Sequence, residues 1–371
     1  MSSTKIPIYR PVLGQEEIEL LTQCVLDEWL SGGKKLKEFE AKMAQLCGVE
    51  YAMGCNNGTV ALYLGLLALG VGHGDEVIVP DFTFVASANA VALTGATPVL
   101  VDVDHLTNNI SPAKVEMEIT KRTKAIMPVH IYGRAADMDR MLETGRREGV
   151  AIIEDACQGM GVTHKGTPVG GIGDVGCLSF YADKTITTGE GGMVLTNSAS
   201  IIRACTVLSN QGRTGRGWYI HDEMGYNFRM TDMQAAVGLA QLQRLEWIVG
   251  RKQTHESHYR QLLEGTSDMQ EVVGDAVGDA GVVPFRHNIF VGDPEGLIAY
   301  LAEDNIDAKR VFYPLHRQPC YKHLDLRDAD FPHTIWAYDH GVSLPSSPLL
   351  TDAEIERVCL RVRAFCKGGS K

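Results

Sequence analysis

Short apolar runs alternate with helix-like segments between residues 50 and 196 of the 371-residue chain. The runs are mostly continuous rather than interrupted at every second position, which is typical of strands that helices cover on both faces. The runs are EYAMGC, DEVIVP, TPVLVDVD, KAIMPVH, VAIIED, VGCLSF and GMVLT. This pattern predicts an α/β fold built on a largely parallel sheet.

Two segments have the polar boundaries of helices. Residues 137–148 begin with aspartates and end before Gly149, which suits a left-handed C-terminal cap. The segment TDMQAAVGLAQLQRLEWIV, residues 231–249, begins with Thr231 and Gln234 at capping-box spacing and continues in helix-forming residues. We predict one long helix there.

The pattern changes after about Gly250. A charged helical stretch follows, and then GVVPFRHNIFV, EGLIAYLAEDNIDAKRVF and a closing helix near residues 352–366. We therefore predict a large domain over residues 1–249 and a smaller α+β C-terminal domain over residues 250–371.

Composition narrows the classes of partner. The net charge of −11, without any lysine- or arginine-rich tract, disfavours binding to nucleic acid. The start MSSTKIPIYRPVLG lacks the apolar core of a signal peptide, and no stretch approaches the roughly 20 apolar residues that span a bilayer. We expect a cytoplasmic protein that does not bind membranes.

The nine cysteines form no CxxC pair, so we expect reduced thiols. No cluster of residues has metal-ligand spacing.

Two strand ends carry residues that suit ligand binding, the first for a phosphate and the second for a metal ion, a proton or a protonated nitrogen. CNNGTVALYLGLLALG, residues 55–70, places Gly58 and Thr59 at a helix start, where N–H groups bind phosphate, although an ordinary helix cap has the same pattern. VAIIEDACQGMG ends a strand in Glu154 and Asp155, at the edge where parallel sheets bind ligands. Either acid could instead cap a helix or lie at the surface.

Lys184 lies in SFYADKTITTGEGGMVLT, between an apolar stretch and a glycine cluster. A lysine in such a position is usually solvated. The segment is not a Walker A loop, because its glycines follow the lysine, and the chain has no dinucleotide-binding fingerprint after its first strand. Together, the three segments supply what pyridoxal phosphate requires: an amine for a Schiff base, a carboxylate for the pyridine nitrogen and a phosphate cup.

Motifs in the same order extend along most of the chain: NNGTVAL, DEVIVPDFTFVASANAV, GATPVLVDVD, KAIMPVHIYG, IIEDACQ, GDVGCLSFYADKTITTGEGGMVLT and GYNFRMTDMQAAVGLAQL. Through them the chain resembles, nearly end to end, the nucleotide-sugar aminotransferases of the DegT/DnrJ/EryC1/StrS family. The resemblance implies the fold-type I architecture of aspartate aminotransferase, with a mostly parallel seven-stranded sheet in the large domain.

The resemblance also implies which residues bind the cofactor. Lys184 would be the covalent attachment point, and Asp155 would pair with the pyridinium nitrogen. The other cofactor contacts that it implies are Gly58, Thr59 and Ser179 at the phosphate, Gln158 near the ring oxygen, and Phe84 stacked on the ring.

Three further positions concern the partner subunit and the substrate. Asn227, in GYNFR, matches an asparagine that reaches the phosphate of the neighbouring subunit, so we expect a homodimer with shared active sites. Arg229 and His316 are expected to contact substrate. His130 could be catalytic, but a structural histidine at a strand end is the favoured interpretation.

The family implies a transaminase that takes nitrogen from L-glutamate, releasing 2-oxoglutarate, and gives it to a keto group on a nucleotide-linked sugar. The motifs are most similar to members that aminate C4 of GDP-4-keto-6-deoxymannose for O-antigen or other surface glycans. The alternatives are dTDP- or UDP-linked keto sugars aminated at C4 or C3, cyclitols, and a non-catalytic family member. A sugar 3-dehydratase is a further alternative, which Lys184 disfavours because those relatives have histidine at that position.

Overall fold

The computed structural model describes residues 4–215, 219–267, 269–270 and 281–368. In chain order, the strands are β1 (Tyr51–Cys55), β2 (Glu76–Pro80), β3 (Thr97–Val101), β4 (Thr123–Ile126), β5 (Ala151–Asp155), β6 (Thr163–His164), β7 (Thr167–Pro168), β8 (Val175–Ser179), β9 (Gly192–Thr196), β10 (Met269–Gln270), β11 (His287–Val291), β12 (Lys309–Arg310) and β13 (Gly341–Leu344). The α-helices are α1 (Gln15–Leu26), α2 (Lys34–Cys47), α3 (Gly58–Ala68), α4 (Ala86–Leu93), α5 (Pro112–Glu118), α6 (Met138–Glu148), α7 (Ala199–Ser209), α8 (Asp232–Gln243), α9 (Leu245–Leu263), α10 (Pro294–Glu303), α11 (Pro332–His340) and α12 (Asp352–Gly368).

The predicted apolar runs form one seven-stranded sheet in the order β1-β9-β8-β5-β4-β2-β3. Strands β3, β2, β4, β5 and β8 run parallel to one another, whereas β9 is antiparallel to both β1 and β8. The predicted α/β class and mostly parallel sheet are therefore confirmed. The parallel order brings the carboxyl ends of β5 and β8 to the same edge of the sheet.

Helices bury both faces of this sheet, which explains why its strands are continuously apolar. In β9, Val194 packs into a core with α3, α4 and α7, while Met193 and Leu195 pack into a second core with α2 and α8. Every residue of β9 is buried. Neither face could carry the polar residues of a half-exposed strand.

Helix α6 forms as its boundary residues predict. The Asp137 side chain accepts a hydrogen bond from the backbone N–H of Arg140 at the start of the helix. Gly149 ends the helix with φ 68°, the left-handed region that favours glycine. These interactions involve only neighbouring residues, so the positions of both ends of α6 are determined locally.

The prediction of one continuous helix over residues 231–249 is wrong. The capping box of Thr231 and Gln234 forms, but Arg244 leaves the helical conformation at φ −116° and separates α8 from α9. Its guanidinium pairs with the carboxylate of Glu16 and lies 3.5 Å from that of Glu17, both on α1. This long-range pairing coincides with a break that helix propensity alone does not indicate.

The C-terminal part of the chain forms a second sheet, ordered β10-β11-β13-β12 and antiparallel throughout. Helices α9, α10 and α12 pack with it around a separate apolar core. Ile6 belongs to this core and pairs with Ile306, so the N-terminal segment contacts the C-terminal unit. Helix α9 crosses residue 250, and the domain boundary placed there stays a prediction.

A helix that crosses a bilayer must be both long and apolar. Among the residues that the structure describes, no helix meets both requirements.

Candidate active site

A cavity of about 710 Å³ lies beside the carboxyl ends of β5 and β8, with residues of the second sheet on its far wall. The structure brings these predicted cofactor residues together around it: Gly58, Thr59, Phe84, Asp155, Gln158, Ser179 and Lys184. These positions are spread over more than 120 residues of sequence, so only the folded chain makes them one site.

Lys184 lies in the loop between β8 and β9 and lines the cavity. The backbone carbonyl of Lys184 accepts a hydrogen bond of 2.8 Å from the Tyr9 hydroxyl, and Lys184 Nζ lies 4.2 Å from the centre of the Phe285 ring. Burial lowers the pKa of the amine, although the nearby carboxylates of Asp183 and Asp155 oppose the shift. The lower pKa increases the neutral fraction of the amine, the form that attacks a carbonyl.

Asp155 is the last residue of β5 and is 5% exposed. One carboxylate oxygen accepts a hydrogen bond from the Ser87 hydroxyl at 2.7 Å, and the other accepts one from the backbone N–H of Cys157 at 3.1 Å. Hydrogen bonds to both oxygens hold the carboxylate in a fixed orientation. Such a group can hold a proton on the pyridine nitrogen of a cofactor. Ser87 lies in the FVASANA segment, and no pattern in the sequence singles it out.

The start of α3 forms a cradle that fits a phosphate. The Asn57 side chain caps the helix by accepting from the N–H of Val60. A Cβ atom at Gly58 would lie 2.8 Å from Ser179 Cβ and 2.9 Å from Cys157 Sγ, so only glycine fits this close approach. The N–H groups of the first helical turn and the hydroxyls of Thr59 and Ser179 are the donors that a phosphate dianion prefers.

Aromatic residues from distant segments complete the wall. Phe84 is 55% exposed, and its ring lies 5.9 Å from that of Phe312. The Tyr132 ring stacks on Phe312 at 4.9 Å, and its hydroxyl accepts from the Phe312 N–H. Gln158 accepts a hydrogen bond from the Tyr132 N–H at 3.0 Å. Tyr132 has φ 51°, a strained conformation for a bulky residue and one that concentrates at functional sites.

Both ring nitrogens of His130 form buried hydrogen bonds. Its Nδ1 accepts from the N–H of Ala136 at 3.1 Å, so Nε2 carries the proton and donates to Glu154 at 2.9 Å. Burial opposes ionisation of Glu154, but the hydrogen bonds from His130 and from backbone N–H groups outweigh it and hold the pKa below its usual value. Both side chains are fully buried and lie outside the cavity wall. The structural interpretation of His130 is therefore the one that its contacts support.

His316 does not line the cavity of the protomer. Its Nδ1 lies 2.6 Å from the Asp81 carboxylate and its Nε2 lies 3.0 Å from that of Asp328. Burial alone would lower the pKa of the imidazole, but the two carboxylates raise it. Both ring nitrogens are therefore paired within the chain, and the substrate contact predicted for His316 stays a prediction. Through Asp81 the ring anchors the loop that carries Phe84.

Asn227 and Arg229 also lie away from this cavity, on the exposed surface. The guanidinium of Arg229 donates to the Asn210 side chain at 2.7 Å. Asn227 forms an isolated antiparallel bridge with Asn210. Their predicted contacts involve a second subunit and substrate, so those roles stay predictions.

A lysine and a carboxylate beside a helix start, at the carboxyl edge of a seven-stranded α/β sheet, define the fold-type I class of pyridoxal-phosphate enzymes. The chain matches the DegT/DnrJ/EryC1/StrS aminotransferase family over residues 11–363 and belongs to that family. This membership confirms the predicted enzyme class, an aminotransferase, and pyridoxal phosphate is the cofactor of that class.

Individual relatives match over almost their whole length. The chain is 38% identical over 361 residues to the GDP-perosamine synthase of Escherichia coli O157:H7, covering 97% of this chain and 98% of that protein. It is 40% identical over 366 residues to the GDP-perosamine synthase of Caulobacter vibrioides, covering 95% and 96% of the two chains. The solved PLP-form of Spr1654 from Streptococcus pneumoniae has a TM-score of 0.94 at 27% identity, with 99% and 100% of the chains covered.

Proposed function

We propose that this aminotransferase makes GDP-perosamine by transferring the amino group of L-glutamate to C4 of GDP-4-keto-6-deoxymannose. The observation that carries the proposal is the similarity, over at least 95% of the chain, to two proteins named GDP-perosamine synthase. The cavity supports it, because about 710 Å³ is within the range of about 300–1,000 Å³ that small-molecule sites occupy.

We assign the chemical roles to Lys184 and Asp155. When bound, pyridoxal phosphate supplies an electron sink for loss of a proton from the carbon that bears the donor nitrogen. Lys184 would hold the cofactor covalently and, once the donor amine has displaced it, would carry that proton as base and then as acid. Asp155 would keep the pyridine nitrogen protonated, and the start of α3 with Ser179 would hold the phosphate.

The acceptor is tested by a screen of 4-keto-6-deoxyhexoses linked to GDP, dTDP or UDP, with L-glutamate as donor. We expect the GDP-linked 4-keto-6-deoxymannose to have the highest kcat/KM, by about 10²-fold or more, because a mismatched base leaves buried polar groups unpaired. Product is identified by mass spectrometry, and 2-oxoglutarate release is measured in the same reactions. A higher kcat/KM for a dTDP- or UDP-linked sugar would contradict the GDP assignment while leaving the aminotransferase assignment intact.

We further propose a homodimer in which Asn227 of each subunit serves the site of the other. The segment that precedes Asn227 exposes large apolar side chains, including Met224 at 93% and Tyr219 at 78%, as expected of a surface that another chain covers. We expect a solution mass near twice 40.5 kDa by light scattering.

Complementation tests the sharing of sites directly. The Lys184→Ala and Asn227→Ala variants are each expected to be inactive, but their co-expression should restore about a quarter of wild-type activity. Half of randomly paired dimers are mixed, and each mixed dimer then has one intact site. If Asn227 served its own subunit, both sites of the mixed dimer would be defective, and no activity would return.

A further inference from the structure

Arg286 is a buried cation in the wall of the active-site cavity. The proposed chemistry assigns it no role. It immediately precedes β11, and its side chain is only 8% exposed. Nη2 pairs with the Asp183 carboxylate, next to Lys184 in sequence. Nη1 is buried and has no hydrogen-bond partner in the part of the chain that the structure describes. Arg286 and Lys184 line the same cavity.

The two cations share one aromatic ring. Lys184 Nζ lies 4.2 Å from the centre of the Phe285 ring, and the Arg286 guanidinium carbon lies 4.8 Å from the same centre. Burial and the charge of Arg286 lower the pKa of nearby Lys252 to about 7. The guanidinium of Arg286 keeps its positive charge beside Phe285, and this charge favours binding of an anion there.

An unpaired guanidinium nitrogen in a buried site is costly, because its N–H groups have left water without gaining a partner. Carboxylate is a preferred partner of guanidinium, since a charge-assisted hydrogen bond satisfies both groups. The fixed pairing of Nη2 with Asp183 leaves Nη1 available without breaking an existing contact. Nη1 of Arg286 is thus free to bind one carboxylate close to Lys184.

We propose that Arg286 binds a carboxylate of the amino donor through Nη1, while Asp183 holds the guanidinium in place. The inference rests on the proposed function, in which L-glutamate delivers its nitrogen at the position of Lys184 Nζ. The reacting end of the other substrate is an uncharged keto sugar, and its diphosphate lies beyond the sugar ring. The amino donor is therefore the substrate that has an anionic group next to its reacting atom.

Arg286→Gln tests the proposal in the first half-reaction, without any acceptor sugar. Bleaching of the visible absorbance of the holoenzyme is followed at increasing L-glutamate, and we expect the half-saturating concentration to rise by about 10- to 100-fold. The dissociation constant of glutarate, an unreactive dicarboxylate, should rise by the same factor in calorimetry. The absorbance of the resting holoenzyme and the KM for the nucleotide sugar should stay unchanged.

Lys309→Gln is the matched control, because it removes a different cation from the same cavity wall. Its glutarate affinity should equal that of the wild type. If Arg286→Gln does not retain cofactor, Arg286→Lys, which keeps the charge but not the fork of donors, is compared in the same assays and should weaken glutarate binding.

Unchanged affinity of Arg286→Gln for both glutamate and glutarate would overturn the proposal. A raised KM for the nucleotide sugar with unchanged glutarate binding would also overturn it, and would assign Arg286 to the diphosphate instead. Failure of the wild type to use glutamate would contradict the proposed donor. The glutarate comparison would still decide whether Arg286 binds carboxylate.

Discussion

Replacement of Lys184 by alanine is expected to abolish transamination while the fold survives. The amine is the nucleophilic group whose pKa burial lowers in the cavity, and the same nitrogen is placed to move the proton of the donor carbon. Loss of both roles should reduce turnover by at least about 10⁴-fold. No hydrogen bond of the Lys184 side chain appears in the described structure, so its removal should leave the melting temperature close to that of the wild type.

The measurement is the rate of 2-oxoglutarate formation, together with the visible absorbance of the lysine-bound cofactor. Lys309→Ala is the matched control, because it removes another lysine of the same cavity and should leave that absorbance intact. Retained turnover in Lys184→Ala would contradict the assignment of this lysine. Loss of absorbance in Lys309→Ala would show that the wrong lysine had been chosen.

Asp155→Asn is expected to lower kcat by about 10²- to 10³-fold, the usual cost of removing one preorganised electrostatic group. The amide oxygen can still accept from the N–H of Cys157, and the amide NH2 can donate to the Ser87 hydroxyl, so the local structure should persist. It cannot hold a proton on the pyridine nitrogen as a carboxylate does. The defect should therefore appear in kcat and not in the melting temperature.

Glu154→Gln is the informative comparison, since it changes the adjacent acid in the same way. Glu154 accepts hydrogen bonds from His130 and from the backbone N–H groups of Gly170, Ile172 and Gly173, outside the cavity. We expect this variant to lose about 2–3 kcal/mol of stability. A near-normal kcat in Asp155→Asn, measured by steady-state kinetics, would show that this carboxylate is not the partner of the ring nitrogen.

The strands were predictable because their burial leaves a local mark on the sequence. Helices cover both faces of the sheet, so β2 and β9 are buried at every position and appear as uninterrupted apolar runs. The ends of α6 were equally predictable, because Asp137 and Gly149 act on neighbouring backbone groups. Such features depend on contacts over a few residues, so they can be predicted without the tertiary structure.

Other features depend on contacts between segments far apart in the chain. The break at Arg244 accompanies its pairing with α1, and helix propensity contains no trace of it. The paired environment of His316 requires both Asp81 and Asp328, and the motif around the histidine does not indicate either partner. In each case the partner lies in another segment, and its presence changes what the residue can do.

The sequence by itself determined the α/β class, the family motifs, and the local groups at Gly58, Asp155 and Lys184 that a phosphorylated pyridine cofactor requires. Only the tertiary structure decided that these groups face one cavity, and that Phe285 and Arg286 line it from the segment before β11. The physical reason is that strand and helix patterns arise from local burial and capping. The position and pairing of a charge depend on segments that meet only in the folded chain.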